Sequence, residues 1–191
     1  MVDIYRPKIK ICVSGAAETG HCSAKALDLS LELGREIAKH DCILVTGATT
    51  GIPYWAAKGA KEAGGIVFGI SPAISEREHL NKYRLPIDYH DVIMYTGAGY
   101  AGRNLQLTRC ADAVITVCGR MGTLNEFTIA FEENKLIGVL EGTGGMADMI
   151  RGIIEKSFRG PGKVIFNQKP KDLIEDVLIF IREEKTLGNS Y

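Results

Sequence analysis

The chain has 191 residues, with 23 Lys plus Arg against 23 Asp plus Glu and a hydrophobic share of 46%. Zero formal net charge removes any long-range field for nucleic acid or a membrane surface, and the apolar share is too high for a disordered or collagen-like chain. This length predicts one domain over residues 1–191 with a sizeable core.

Apolar runs such as Val177 to Ile181 fall far short of the ~20 residues a membrane helix needs, so no membrane span is expected. The charges Asp3, Arg6, Lys8 and Lys10 lead into a strand-like run, which argues against a secretory signal and for a cytoplasmic protein. The five cysteines, Cys12, Cys22, Cys42, Cys110 and Cys118, include no C-x-x-C, and they read as reduced, buried small hydrophobes.

In chain order, Lys8 to Val13 alternates and then turns apolar before Ser14-Gly15, as a strand entering a buried sheet does. Ser23 to Lys39 repeats Ala26, Leu29, Leu33 and Ile37 at helical spacing. Asp41 to Thr46 is a second strand; Pro53 to Ala63 is a helix stopped by Gly64-Gly65; Ile66 to Ile70 is a third strand. Ser71 to Asp91 is polar and irregular, a loop or ragged short helix. Strands follow at Val92 to Tyr95, Ala113 to Val117 and Leu136 to Leu140, with helices over Arg103 to Arg109 and Thr123 to Glu133. Two more helices, Met146 to Lys156 and Lys171 to Glu184, flank a short edge strand at Lys163 to Phe166. Strands alternating with helices predict a Rossmann-like, doubly wound α/β fold: a mostly parallel sheet of about six or seven strands with helices on both faces.

Ligands of such sheets bind beyond the carboxyl ends of the strands, so the strand-to-helix turns are where function is sought. Four are rich in small residues: Ser14 to Ala17, Thr46 to Gly51, Thr96 to Gly102 and Cys118 to Thr123. Gly15, Gly47, Gly51, Gly119 and Gly122 would let backbone amides approach an anion, with Ser14, Arg120 and Thr123 as further contacts. Tight turns need glycine in any α/β domain; four such turns on one edge point to a phosphate-bearing ligand. Gly97 to Gly102 matches G-x-G-x-x-G, but it is not in the first turn, and the next strand ends Thr116-Val117-Cys118 without a ribose-binding acid, which excludes a dinucleotide. Gly47 to Gly51 lacks the Lys-Ser or Lys-Thr of a P-loop. Arg103 and Glu126, near the starts of two helices, bring a cation and a potential acid or base to the same edge; the plainer alternative is a helix-end ion pair.

Gly119 to Glu126 with the upstream Arg103 resembles the P-G-G-x-G-T-x-x-E signature and arginine of the Lonely Guy phosphoribohydrolases, formerly labelled possible lysine decarboxylases. Thr46 to Gly51 and Gly59 to Gly65 are similar to that family's second turn and helix, so the likeness runs from the first strand to about Gly145. The resemblance implies a homodimer, or a higher homo-oligomer, that takes a nucleoside 5′-monophosphate. Gly119, Gly122 and Thr123 would hold the phosphate, and Arg103 and Glu126 would act at the N-glycosidic bond to release base and ribose 5-phosphate, with no metal and no cofactor. The departures are Cys118 for the family's Pro, Arg120 for its second Gly, Asn104 for Lys and Leu107 for Met. Arg120 either adds an anion contact or closes the turn to a standard monophosphate. A divergent branch, the molybdenum-cofactor carriers, is equally similar and binds a phosphorylated pterin without known turnover. The alternative reading is thus a non-catalytic carrier or sensor of a phosphorylated nucleotide or pterin.

A pyridoxal phosphate enzyme needs a lysine in the site, and none of Lys58, Lys61, Lys135 or Lys163 falls in these turns. His21, His40, His79 and His90 show no i, i+4 pairing and no Cys at metal-ligand spacing, so they read as surface or loop residues. Neither Ser14 nor Ser71 lies in a G-x-S-x-G elbow. Tyr54 and Trp55 read as packed aromatics, and Glu141 to Gly145 either closes over a ligand or caps the next helix.

Overall fold

The computed structural model describes residues 7–188; Asp3 and Arg6, used above to argue against a secretory signal, lie outside the described residues. The strands are β1 (Lys10–Gly15), β2 (Ile43–Thr46), β3 (Ile66–Ser71), β4 (Val92–Tyr95), β5 (Ala113–Val117), β6 (Leu136–Leu140) and β7 (Val164–Asn167). The helices are α1 (Ala26–Lys39), α2 (Ile52–Glu62), α3 (Glu76–Asn81), α4 (Gly99–Cys110), α5 (Met121–Glu132), α6 (Ile150–Ser157) and α7 (Pro170–Gly188), with a short 3-10 turn at Ala147–Met149. All seven strands pair in parallel in the order β4-β3-β2-β1-β5-β6-β7. The chain order reverses between β1 and β5, and a crevice opens at such a reversal.

The period of two along each strand divides the core into two layers. Ile11 and Val13, Leu44, Ala113, Ile115 and Val117, and Leu136 and Leu140 face α1, α2 and α7 through Leu33, Ile37, Ala56, Leu173 and Val177. The intervening Cys12, Val45, Val114, Ile137 and Val139 face α4, α5 and α6 through Leu107, Phe127, Ala130 and Ile150. β5 and β6 are buried at every residue, which is why they read as continuous apolar runs. α1 and α2 meet backbone to backbone: a Cβ on Gly34 would lie 1.9 Å from the Ala56 carbonyl oxygen, and one on Gly59 the same distance from that of Leu31. Two glycines one helix apart thus lock the layer that carries the first two turns.

Three boundaries differ from the sequence pattern. α1 begins at Ala26 because Cys22 and Ser23 are drawn toward the β6 turn, through a Cys22–Gly144 bridge and a Ser23 N–H to Thr143 carbonyl bond of 2.9 Å. α4 begins at Gly99, so Arg103 sits a turn inside the helix. The irregular stretch holds the six-residue α3, capped by the Ser75 side chain. The edge strand at β7 forms as expected.

Candidate functional site

The carboxyl ends of β1 and β5 open onto a cleft of about 350 Å³, within the usual range for small-ligand sites. It is lined by Gly15, Arg103, Arg120, Gly122, Thr123 and Glu126 from among the expected residues, and also by Ala16, Ala17, Glu18, Thr49, Tyr100 and Asn104. The remaining four candidates support it from behind. Ser14 lies beneath the floor, where its hydroxyl donates to Glu126 Oε2. Gly47 makes room for Arg103: a Cβ there would fall 2.5 Å from Nη1. Gly51 has a φ of +70° and abuts the carbonyls of Ala16 and Ala17, so a Cβ would lie 2.2 Å from one of them. Gly119, at a φ of +96°, leaves space for the Thr123 side chain, which any Cβ would meet at 2.5 Å.

Arg103 and Glu126 are both buried and joined by a 3.0 Å bond from Nη1 to Oε1. With its amide nitrogen turned to the carboxylate, Asn104 donates to the same Oε1 at 2.8 Å and to the Tyr100 carbonyl at 2.9 Å. Both carboxylate oxygens are therefore engaged by the protein. Burial pushes the Glu126 carboxyl above its ordinary value, against the opposing pull of Arg103 and Ser14. A void of about 20 Å³, room for one water, adjoins Arg103, Glu126, Ser14 and Thr49, and Arg103 Nε is buried without a protein hydrogen bond.

One end of the cleft is the start of α5. No side chain caps this helix, and Gly122 leaves nothing within 4 Å of where its Cβ would stand. First-turn amides and the helix dipole thus favour a negative charge there. Arg120, half exposed at the lip, bonds Glu18 at 2.8 Å from Nη1, so a carboxylate of the β1 turn engages the guanidinium a phosphate would use.

The turn before α5 departs from the Pro-Gly-Gly pattern in its backbone as well as its sequence. Cys118 has a φ of +50°, which a proline ring, fixed near −65°, cannot adopt. The β6 turn holds this conformation. Thr143 Oγ1 accepts from the Cys118 N–H at 2.8 Å, and the N–H groups of Met146 and Ala147 donate to the carbonyls of Gly119 and Cys118 at 3.0 and 2.8 Å. Asp148 in turn accepts from the N–H groups of Gly142 and Gly144. Glu141 to Gly145 thus braces the turn before α5, and neither the 3-10 turn nor α6 that follows takes a side-chain cap from it.

The expectation that all cysteines are reduced is corrected: Cys22 and Cys118 form a disulfide across 96 residues of sequence. Spacing along the chain carries no sign of it, because the contact depends on the segments that follow β1 and β5 meeting. Cys12, Cys42 and Cys110 are free, and burial pushes the Cys42 and Cys110 thiols up to about 11, in keeping with inert packing. Of the four histidines, His79, inside α3, departs from the surface or loop reading, while His21, His40 and His90 lie in loops or turns. His79 is fully buried, its ring nitrogens bonded to Ser71 and the Pro86 carbonyl; His90 bonds Thr46 at 2.9 Å; and His21 stands 3.6 Å from Cys118 Sγ.

The G-x-G-x-x-G segment ends edge strand β4 and gives the cleft Tyr100 but none of its glycines. A smaller concavity of about 90 Å³ between α5 and α6 is lined by Phe127, Phe131, Ile153 and Ile154 together with Glu132 and Arg159, and shares no lining residue with the cleft. No helix among the described residues is long and apolar enough to cross a membrane.

With this geometry, residues 8–174 match the model of the SLOG cluster4 family. The chain belongs to the SLOG cluster4 family. The SLOG superfamily includes Lonely-Guy-like proteins, in keeping with the motif resemblance. An uncharacterized protein of Archaeoglobus fulgidus is 32% identical over 133 residues, 70% of this chain and 82% of that protein. Among solved structures, the molybdenum cofactor binding protein of Rippkaea orientalis superposes with a TM-score of 0.74 at 26% identity, covering 93% of this chain and 99% of that one. The molybdenum cofactor carrier protein of Chlamydomonas reinhardtii gives 0.71 at 28%, covering 91% and 98%.

Proposed function

We propose that this SLOG-family chain binds a small phosphorylated ligand, of the nucleotide or phosphorylated-pterin class, in the β1/β5 cleft and holds it without turnover. The observation that carries this reading is the uncapped α5 N-terminus, with Gly122, Thr123 and Arg120 around it, at the end of a cleft of ligand size. The structural likeness to cofactor-carrying proteins over more than nine-tenths of the chain supports it. Hydrolysis of a nucleoside 5′-monophosphate would use the same cleft, with Glu126 activating water beside Arg103. Binding is favoured because the Glu126 oxygens are committed to Ser14, Arg103 and Asn104, and because the turn before α5 has a backbone that the hydrolase proline could not share.

The test is incubation of the purified chain with nucleoside 5′-monophosphates and a phosphorylated pterin. Melting temperature and chromatography of the recovered ligand are read together, with Glu126→Gln as control. A ligand that raises the melting temperature and is recovered intact supports the carrier. Free base released by the wild type and not by Glu126→Gln establishes the hydrolase instead.

A further inference from the structure

We propose that His21, Cys22 and Cys118 form a binding site for a soft divalent cation, zinc above all, when the Cys22–Cys118 bond is reduced. Imidazole and thiolate are the donors such a cation takes, and here one ligand atom from each of the three residues lies within 4.8 Å of the others. A tetrahedral zinc with Zn–S of about 2.3 Å and Zn–N of about 2.0 Å separates a nitrogen from a sulfur by about 3.5 Å. His21 Nε2 and Cys118 Sγ stand 3.6 Å apart. The same zinc would separate two sulfurs by about 3.8 Å, a change that side-chain rotation supplies across a Cα separation of 5.7 Å.

The backbone around these donors is held by bonds other than the disulfide. Cys22 is bridged to Gly144, and the Ser23 N–H bonds the Thr143 carbonyl; the Cys118 N–H bonds Thr143 Oγ1, and the Cys118 carbonyl accepts from Ala147. Opening the sulfur–sulfur bond therefore leaves the donors gathered. Access is graded as an open site requires: His21 is exposed, Cys22 half-buried and Cys118 buried. The fourth position faces solvent on the His21 side. His21 Nε2 now lies 3.2 Å from the Gly119 carbonyl oxygen; coordination turns its lone pair to the metal and leaves the proton on Nδ1.

The two states interconvert by a balanced exchange. Two small-molecule thiols each surrender one electron and one proton and leave as their own disulfide, while Cys22 and Cys118 become thiols. Cation binding then releases both thiol protons. None of the three residues lines the cleft, so the site stands whatever the cleft holds.

The test reduces the whole chain with a phosphine, which becomes the phosphine oxide with oxygen from water and adds no competing thiol. Cobalt is then titrated anaerobically and displaced with zinc. The reduced wild type is expected to bind one cation with a thiolate-to-cobalt charge-transfer band, the oxidised chain and Cys22→Ser to give no band, and His21→Ala to bind at least about tenfold more weakly. Cobalt uptake equal in oxidised and reduced chains, or a full band in Cys22→Ser, overturns the site. So does a reduced chain that shows no band, whether it keeps its helical circular dichroism or loses it and fails to recover with zinc.

Discussion

Two glycine turns on the same edge of the sheet have opposite fates. The β4 turn spells G-x-G-x-x-G from Gly97 to Gly102, yet it ends an edge strand and contributes only Tyr100 to the cleft. The β5 turn, Cys118 to Thr123, matches the Lonely Guy pattern imperfectly but stands at the β1/β5 reversal, where helix N-termini converge. The contrast teaches that topology, and not glycine spelling alone, decides which turn lines the cleft. It also separates two jobs for glycine. Gly122 leaves open space on the cleft, while Gly47, Gly51 and Gly119 leave space for Arg103, the Ala16 and Ala17 carbonyls and Thr123.

The contrast can be broken most forcefully at the brace. The disulfide closes a loop of 96 residues, so its loss should lower the unfolding free energy by about 5 kcal/mol in the chain-entropy account. Denaturant melts of the oxidised chain against Cys22→Ser, without metal, check this. Next in size is Arg103→Leu, which strands a buried carboxylate and should cost about 3 kcal/mol at neutral pH. That cost has a defined pH dependence. Glu126 is raised in the folded state, so its share of stability is full below its ordinary value of 4.5 and is lost as pH rises through the folded value. The deficit of Arg103→Leu should therefore shrink as pH falls and Glu126 becomes neutral, which melts across an acid series would reveal.

Gly119→Ala should cost about 2 kcal/mol and abolish ligand binding, because its Cβ collides with Thr123 at a φ of +96°. Gly97→Ala meets its nearest neighbour, Ile74, only at 3.3 Å and should cost about 1 kcal/mol with affinity unchanged. Equal binding losses in the two variants would erase the distinction between the turns. The smallest effect is expected at Glu18→Gln, which frees Arg120 and should tighten binding a few-fold at low salt, an effect that fades as salt is raised.

How far the sequence carried differs in the same way. β5 and β6 were legible because burial on both faces leaves no polar interruption, and β7 because Val164 to Phe166 stands between two helical periods. Six of the ten candidate site residues line one cleft because a parallel sheet sends every strand-to-helix turn to one edge. The roles of Gly47 and Gly51 were not legible, since the atoms they make room for come from α4 and the β1 turn. Nor was the partnership of Glu18 with Arg120, nor that of Cys22, His21 and Cys118, for each joins loops about a hundred positions apart.

The most direct test of the cleft is a calorimetric titration of nucleoside 5′-monophosphates and a phosphorylated pterin into the wild type and Gly122→Asp. Aspartate fits the open space at Gly122 and suits a helix N-terminus, so the fold should keep its melting temperature while the anion site is filled with negative charge. Saturable binding to the wild type, lost in Gly122→Asp with the ligand recovered intact, is the predicted result. The same affinity in both proteins would place the ligand elsewhere and contradict the account.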